Sequence, residues 1–351
     1  MFRYGRILSS ATNNRFRQSR YTLPSAGVAA SAVLASLCVT APLSLVSCES
    51  QQASSQTPLK VSELPEGLDI RKCQVTLYQF ESCPFCRKAR AVLDLCNVPY
   101  EVVEVNPLTK AETKSFASDY KKVPIVVVQD PDSNQSYQIR DSKVIIGAII
   151  RASPGVEVSN NNPSTRRPSA VSLNEETVFD SETLGGSMST DEAWIKWIEG
   201  YLLQLVVVNI YGTMSESMET FDYLLTHKSF GFVAKQASYW AGSIVMNQVA
   251  RSRLRKFKHI QGNHRAAFFD ACNDLGSAAL AAGGFLGGSK PSPADVNAYG
   301  VIRSLEGTKS LREAIGGDAS PDFKKWYENM NAVVGVSKAV AKHGTTKRGS
   351  N

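Results

Sequence analysis

Cys83 and Cys86, separated by Pro84 and Phe85, are the residues of this 351-residue chain best suited to chemistry. A thiol two residues from a second thiol can attack a disulfide, pass it to its neighbour and be released, or it can supply half of a metal site. The zinc reading fails on spacing, because no second Cys pair or His pair stands at ligand distance along the chain. The thiol reading gains from what surrounds the pair. Val75, Leu77, Tyr78 and Phe80 form a short strand-like run ahead of it. Pro84 has the fixed φ and missing N–H that suit the first position of a helix. Cys83 then caps that helix, facing unpaired N–H groups, with Arg87, Lys88 and Arg90 close by. All of these favour thiolate over thiol, so Cys83 is expected to be the acidic nucleophile. Cys86, one turn further in, is expected to be the buried, less acidic, resolving thiol.

The elements that must position this pair follow in order. After the first helix, Val98–Val105 alternates as a strand and Asn106-Pro107 ends it, with a short polar helix over Thr109–Ser118. Lys121–Val128 places a proline, Pro124, at the opening of an apolar strand. Asp130–Asn134 is a hairpin turn, Tyr137–Ile139 returns as an edge strand, and Asp141-Ser142 caps a helix carrying Val144, Ile145, Ile146 and Ile149. The order β-α-β-α-β-β-α is that of a thioredoxin-like α/β domain, placed here at residues 73–152. Residues 153–190, rich in Asn, Pro, Ser and Thr, read as a loop between domains. From Asp191 to about residue 336 the pattern is all-helical: Trp194, Trp197, Ile198, Tyr201, Leu202, Leu205 and Val208 recur at i+3 and i+4.

Two further markers belong with the cysteines. In thioredoxin-like folds the Val123-Pro124 bond is cis, and Val123 offers its backbone N–H and C=O to an extended peptide such as glutathione. Asp141 and Ser142, at a helix start, can hold the charged ends of a γ-glutamyl group, or serve only as a cap. Ser292-Pro-Ala-Asp295 has the form of a capping box and is expected to nucleate a buried helix, with a role in folding alone.

Composition narrows the partners. The formal charge of +7 is set largely by five arginines in residues 1–48, which contain no acid, leaving +2 for the remainder. A near-neutral body excludes nucleic acid as the expected partner. Residues 1–22, arginine- and serine-rich, have the composition of an organelle targeting peptide. Residues 23–47 carry no charge and, at 25 residues, exceed the roughly 20 needed to cross a bilayer. A retained membrane anchor and an extended cleaved leader are the two readings. Residues 48–72 are a polar linker, and the basic residues 337–351 read as a disordered tail. Arg251–Arg265 holds six Arg/Lys and two His without an acid. It suits an anionic ligand or anionic lipid, or simply a solvated helix end.

These markers, in this order, resemble the membrane-associated prostaglandin E synthase type 2 family. The most telling runs are Cys83–Cys86, Pro99–Pro107, Lys122–Ile125, Asn209–Tyr211, Phe221–Tyr223, Phe285–Pro291 and Tyr299–Arg303. The resemblance implies a glutaredoxin-like domain followed by an all-α, glutathione-transferase-like helical domain. It implies isomerisation of prostaglandin H2, a lipid, to prostaglandin E2. Cys83 would be the essential thiol, with Phe80 and Phe85 at the pocket and Val123, Pro124, Asp141 and Ser142 binding glutathione. It further implies a haem site between the domains and an organelle membrane location, mitochondrial first, with chloroplast or endomembrane as alternatives. The architecture is compatible with a homodimer. Two departures stand out: Phe80 replaces the tyrosine of the animal members, and Gln204 stands where a histidine would serve haem. Two other functions remain open. A glutathione-linked disulfide oxidoreductase would use both Cys83 and Cys86, and a non-catalytic haem- or lipid-binding adaptor would use neither.

Overall fold

The computed structural model describes residues 57–159, 168, 171–174, 177–179, 189–226, 231–256 and 263–340. The targeting and hydrophobic stretches of the N-terminus, together with His227, His259 and His343, lie outside them. Among the described residues no helix is long and apolar enough to cross a membrane.

The sheet part comprises β1 (Leu59–Val61), β2 (Gln74–Gln79), α1 (Pro84–Leu95), β3 (Tyr100–Glu104), α2 (Lys114–Ala117), β4 (Ile125–Gln129), β5 (Ser136–Arg140) and α3 (Ser142–Arg151). A two-stranded hairpin, β6 (Val171–Asn174) and β7 (Thr177–Phe179), follows. The helical part runs α4 (Thr190–Trp197), a π turn (Ile198–Leu202), α5 (Leu203–Tyr211), α6 (Met214–Thr226), α7 (Phe232–Lys256), α8 (His264–Ala282), α9 (Pro293–Arg303), α10 (Lys309–Glu313) and α11 (Pro321–Val334). The chain then returns to the sheet as β8 (Ala339–Val340).

The six strands lie in the order β1-β5-β4-β2-β3-β8. β2 runs parallel to β3 and antiparallel to β4, which is antiparallel to β5. This is the mixed thioredoxin-like sheet that the element order predicts. Period-2 alternation on β2 buries Val75, Leu77 and Gln79, whereas Ile125, Val126 and Val128 on β4 are buried as a near-continuous central run.

Four differences from the sequence reading concern the ends of elements. Leu59–Val61, placed in the polar linker, pairs with Tyr137–Ile139 as β1, so β5 is not an edge strand. Three residues with one strong apolar pair are too short to show a period, but the open side of β5 supplies the partner groups. The tail is ordered through residue 340. Lys338 N–H donates to Asp94 at 2.8 Å, its carbonyl accepts from Tyr100 N–H at 3.3 Å, and Ala339 pairs with Tyr100. The 153–190 loop contains the β6–β7 hairpin, and the short α10 has too few residues to show a helical period of its own.

The helical part is organised on α9, buried from Ala294 to Ile302. Its capping box forms as expected: Ser292 Oγ accepts from Asp295 N–H, and Asp295 accepts from Ser292 N–H. Asp295 also accepts from the N–H groups of Leu286 and Gly287 and from Trp326 Nε1 at 2.8 Å. One buried carboxylate thus ties a loop, a helix start and α11 together, which explains a folding role without catalysis. α9 also lies directly on α1. A Cβ at Gly300 would come within 2.5 Å of Lys88 Cα, so only glycine permits this approach.

Candidate thiol site

Cys83 caps α1 with extended backbone (φ −78°, ψ 121°), and its carbonyl accepts the first helical bond from Arg87 N–H at 3.0 Å. Pro84 fills the first helical position. Cys83 is partly exposed, Cys86 buried. Cys86 donates a hydrogen bond to the Cys83 sulfur, and the backbone N–H groups of Cys86 and Phe85 and the charge of Lys88 add to it. Together these hold the Cys83 thiol below its ordinary range against the opposing effect of burial. Burial, then the bond and charge of Cys83, push Cys86 well up. The Cys86 sulfur also accepts from Phe80 N–H at 3.5 Å. The pair is therefore divided into one partly exposed, thiolate-favouring cysteine and one buried, proton-holding cysteine.

The other residues read from sequence fall around it. Val123-Pro124 is cis and stands just ahead of β4. Asp141 caps α3 and accepts from Lys143 N–H at 2.8 Å, while Ser142 is buried at the first helical position. Asp141 does so at φ +74°, a region that L-residues rarely occupy and that costs about 1–3 kcal/mol. Phe85 is 40% exposed beside Cys83, and Phe80 lies under Lys110 Nζ, 5.0 Å from the ring centre. These residues offer groups that a glutathione could use: the Cys83 sulfur, the Val123 backbone beside the cis bond and a helix start at Asp141-Ser142. Two surface depressions, one lined by Pro65–Asp69 and Asp130–Asp132, the other by Leu95, Val156 and Lys290, include none of these residues.

The sequence places Lys88 beside Cys83, but its partner and the other side chains completing the site have no signal in the sequence pattern. Lys88 is fully buried one turn beyond Cys83. Its ammonium pairs with Glu199 on the π turn at 3.1 Å and lies 5.5 Å from the Phe85 ring centre. Burial lowers its pKa, and Glu199 opposes that. Glu104, at the end of β3, is buried behind the motif. It accepts from Glu81 N–H at 2.8 Å and from Gln79 Nε2 at 3.2 Å, and it bonds the Tyr223 hydroxyl from α6. Burial and then the charge of Glu81 push Glu104 up to about 8. Glu81 in turn binds Arg87 and Arg90. Tyr211, from α5, donates to Ser82 Oγ at 3.3 Å, next to Cys83. A phenol from the helical part thus reaches the residue next to Cys83, although Phe80 itself carries none. Tyr211 and Tyr223 fall in two of the runs that carry the family resemblance, but a single sequence assigns them no partner.

The basic stretch divides. Arg265 is paired with Glu216 and Glu313, Arg251 and Arg255 are exposed, and residues 257–262 lie outside the described residues. Gln204, where a histidine would serve haem, turns its Nε2 to the Glu199 carbonyl at 3.4 Å.

Comparison with known proteins agrees with this geometry. Residues 77–157 match the glutathione S-transferase N-terminal domain family. Prostaglandin E synthase 2 of Mus musculus is 33% identical over 285 residues, covering 76% of this chain and 72% of the relative. The Danio rerio protein of that name is 32% identical over 276 residues, 73% and 70% of the two chains. Glutaredoxin 1 of Rickettsia prowazekii (strain Madrid E) is 48% identical over 42 residues, 12% of this chain and 44% of the relative. With a sheet, a divided cysteine pair and similarity across most of both chains, the protein belongs to the prostaglandin E synthase 2 family.

Proposed function

We propose that the protein is a glutathione-binding, thiol-dependent isomerase that converts prostaglandin H2 to prostaglandin E2. The observation that carries it is Cys83, a partly exposed thiolate-favouring cysteine at a helix start with the Phe85 ring exposed beside it. Its sulfur attacks one endoperoxide oxygen. The O–O bond breaks, and the other oxygen leaves as an alkoxide that takes up a proton. Loss of the proton on the carbon bearing the sulfur-bound oxygen then forms the ketone and expels the thiolate, so no electrons are gained or lost. The α1 N-terminus stabilises sulfur as a leaving group for the same reason that it stabilises the free thiolate. Glutathione would lie along Val123, with its γ-glutamyl end at Asp141 and Ser142.

Haem fits less well. The helix facing the thiols presents Gln204 in place of an imidazole, and Arg265 of the basic stretch is already engaged by two carboxylates.

A second reading is favoured by the Cys86-to-Cys83 hydrogen bond. Disulfide exchange needs both thiols, whereas isomerisation needs one. The test incubates wild type, Cys83→Ser and Cys86→Ser with prostaglandin H2 and, separately, with a glutathione mixed disulfide. Prostaglandin E2 from wild type and Cys86→Ser but not Cys83→Ser supports the isomerase. Disulfide reduction without that product replaces it with the oxidoreductase, and activity in neither assay points to a binding role.

A further inference from the structure

Helix α7 buries Tyr239 and Ala250 against the core, yet leaves a second set of apolar side chains exposed. Along its 25 residues, Ser238, Ser243 and Asn247 are buried, while Phe232 (77%), Val233 (78%), Trp240 (49%), Ile244 and Val245 are exposed. Two of these buried polar groups are hydrogen-bonded, while Ser238 Oγ has no partner among the described residues. Ser243 Oγ donates to the Tyr239 carbonyl at 2.7 Å, and Asn247 Nδ2 donates to the Tyr211 carbonyl at 2.9 Å. The exposed face is the anomaly. Val233, Trp240, Ile244, Arg251 and Arg255 recur at helical spacing on one stripe of about 33 Å. The apolar side chains occupy its N-terminal half, and the exposed arginines its C-terminal half.

Charge decides what covers this face. α7 contains five basic residues and no acid. A second copy laid on the same stripe would bring two such helices together, so the occupant is anionic. Of the carboxylates on adjacent α6, Glu216 pairs with Arg265 and Asp222 bonds the Tyr239 hydroxyl, while Glu219 faces solvent. A straight stripe with a tryptophan, aliphatic side chains and flanking arginines is suited to a lipid surface: the apolar groups enter the boundary of the acyl chains and the cations meet headgroups. We infer that the exposed face of α7 docks on an anionic membrane surface, independently of the hydrophobic stretch at residues 23–47 and of the chemistry at Cys83.

Trp240 is the probe. The other three tryptophans, Trp194, Trp197 and Trp326, are buried, so a soluble quencher reaches Trp240 alone. Full-length protein is mixed with vesicles of phosphatidylcholine, with or without phosphatidylserine, carrying brominated acyl chains. With phosphatidylserine, Trp240 emission moves to the blue and is quenched by bromine, and Trp240→Phe loses that response. Neutralising two surface cations in Arg251→Gln/Arg255→Gln weakens vesicle binding about 30-fold. The inference is overturned if vesicles bind while Trp240 stays open to aqueous iodide, or if the double variant binds as wild type does. It is also overturned if Trp240 is shielded before vesicles are added and sedimentation shows a dimer.

Discussion

Replacing Glu104 with Gln should change the pH dependence of stability more than stability itself. In the unfolded chain Glu104 titrates near the ordinary glutamate value of 4.5, and in the fold near 8. The folded state therefore binds an extra proton between those values. The stability contribution is fully present below pH 4.5 and is lost as pH rises through 8. The slope is about 1.4 kcal/mol per pH unit and the total loss about 5 kcal/mol. Glu81 works in the opposite direction but outside this window. Against its own burial, Arg87 and Arg90 hold it down to about 2, so its contribution fails only in acid below 4.5. Glu104→Gln keeps the shape and an acceptor for Glu81 N–H but has no proton to lose. At pH 5 it should lie within about 1.5 kcal/mol of wild type, the worth of one hydrogen bond. At pH 8 it should be the more stable by about 3 kcal/mol. Urea unfolding followed by far-ultraviolet circular dichroism from pH 5 to 8 measures both. Parallel pH curves for the two proteins would show that Glu104 is already ionised in the fold, and the reasoning about its burial would be wrong.

Four further outcomes are expected. Gly300→Ala should cost about 1–3 kcal/mol in denaturant unfolding, because its Cβ meets the α1 backbone and not a movable side-chain end. Glu199→Gln should destabilise more than Lys88→Met. The first leaves a buried ammonium unpaired, at about 3–5 kcal/mol, and the second leaves a carboxylate that water still reaches. Equal losses in unfolding experiments would contradict this. Cys86→Ala should raise the Cys83 pKa toward that of a free thiol, read from thiolate absorbance against pH, since it removes the leading stabilising bond. Asp141→Gly relieves a positive φ while giving up a cap worth a few tenths of a kcal/mol, so stability should change by less than about 1 kcal/mol. Glutathione affinity, by calorimetry, should fall about tenfold through loss of the carboxylate contact.

The sequence by itself determined the reactive pair and its asymmetry. Pro84 sets a helix start, Cys83 falls on its cap and Cys86 falls one turn inside, so local geometry alone divides the two thiols. The same holds for the Asp141 cap and the Ser292–Asp295 box, whose partners lie within four residues. Periodicity marked the region from Asp191 onward as helical. The strands β1 and β8 were not legible, because two or three residues carry no period and exist as strands only where β5 and β3 offer partners. Glu104 was not legible for a related reason. An acid at the end of an alternating strand looks solvated until Gln79, Glu81 and Tyr223 close over it. Lys88 with Glu199, Tyr211 with Ser82, and Gly300 against Lys88 join residues more than 100 positions apart. Such contacts depend on how α1 seats against the helical part, a choice of packing that no local spacing encodes. The exposed apolar stripe of α7 is the same lesson in reverse. Its sequence mixes apolar, polar and basic residues around the helix, and only the tertiary structure shows which face the rest of the protein leaves uncovered.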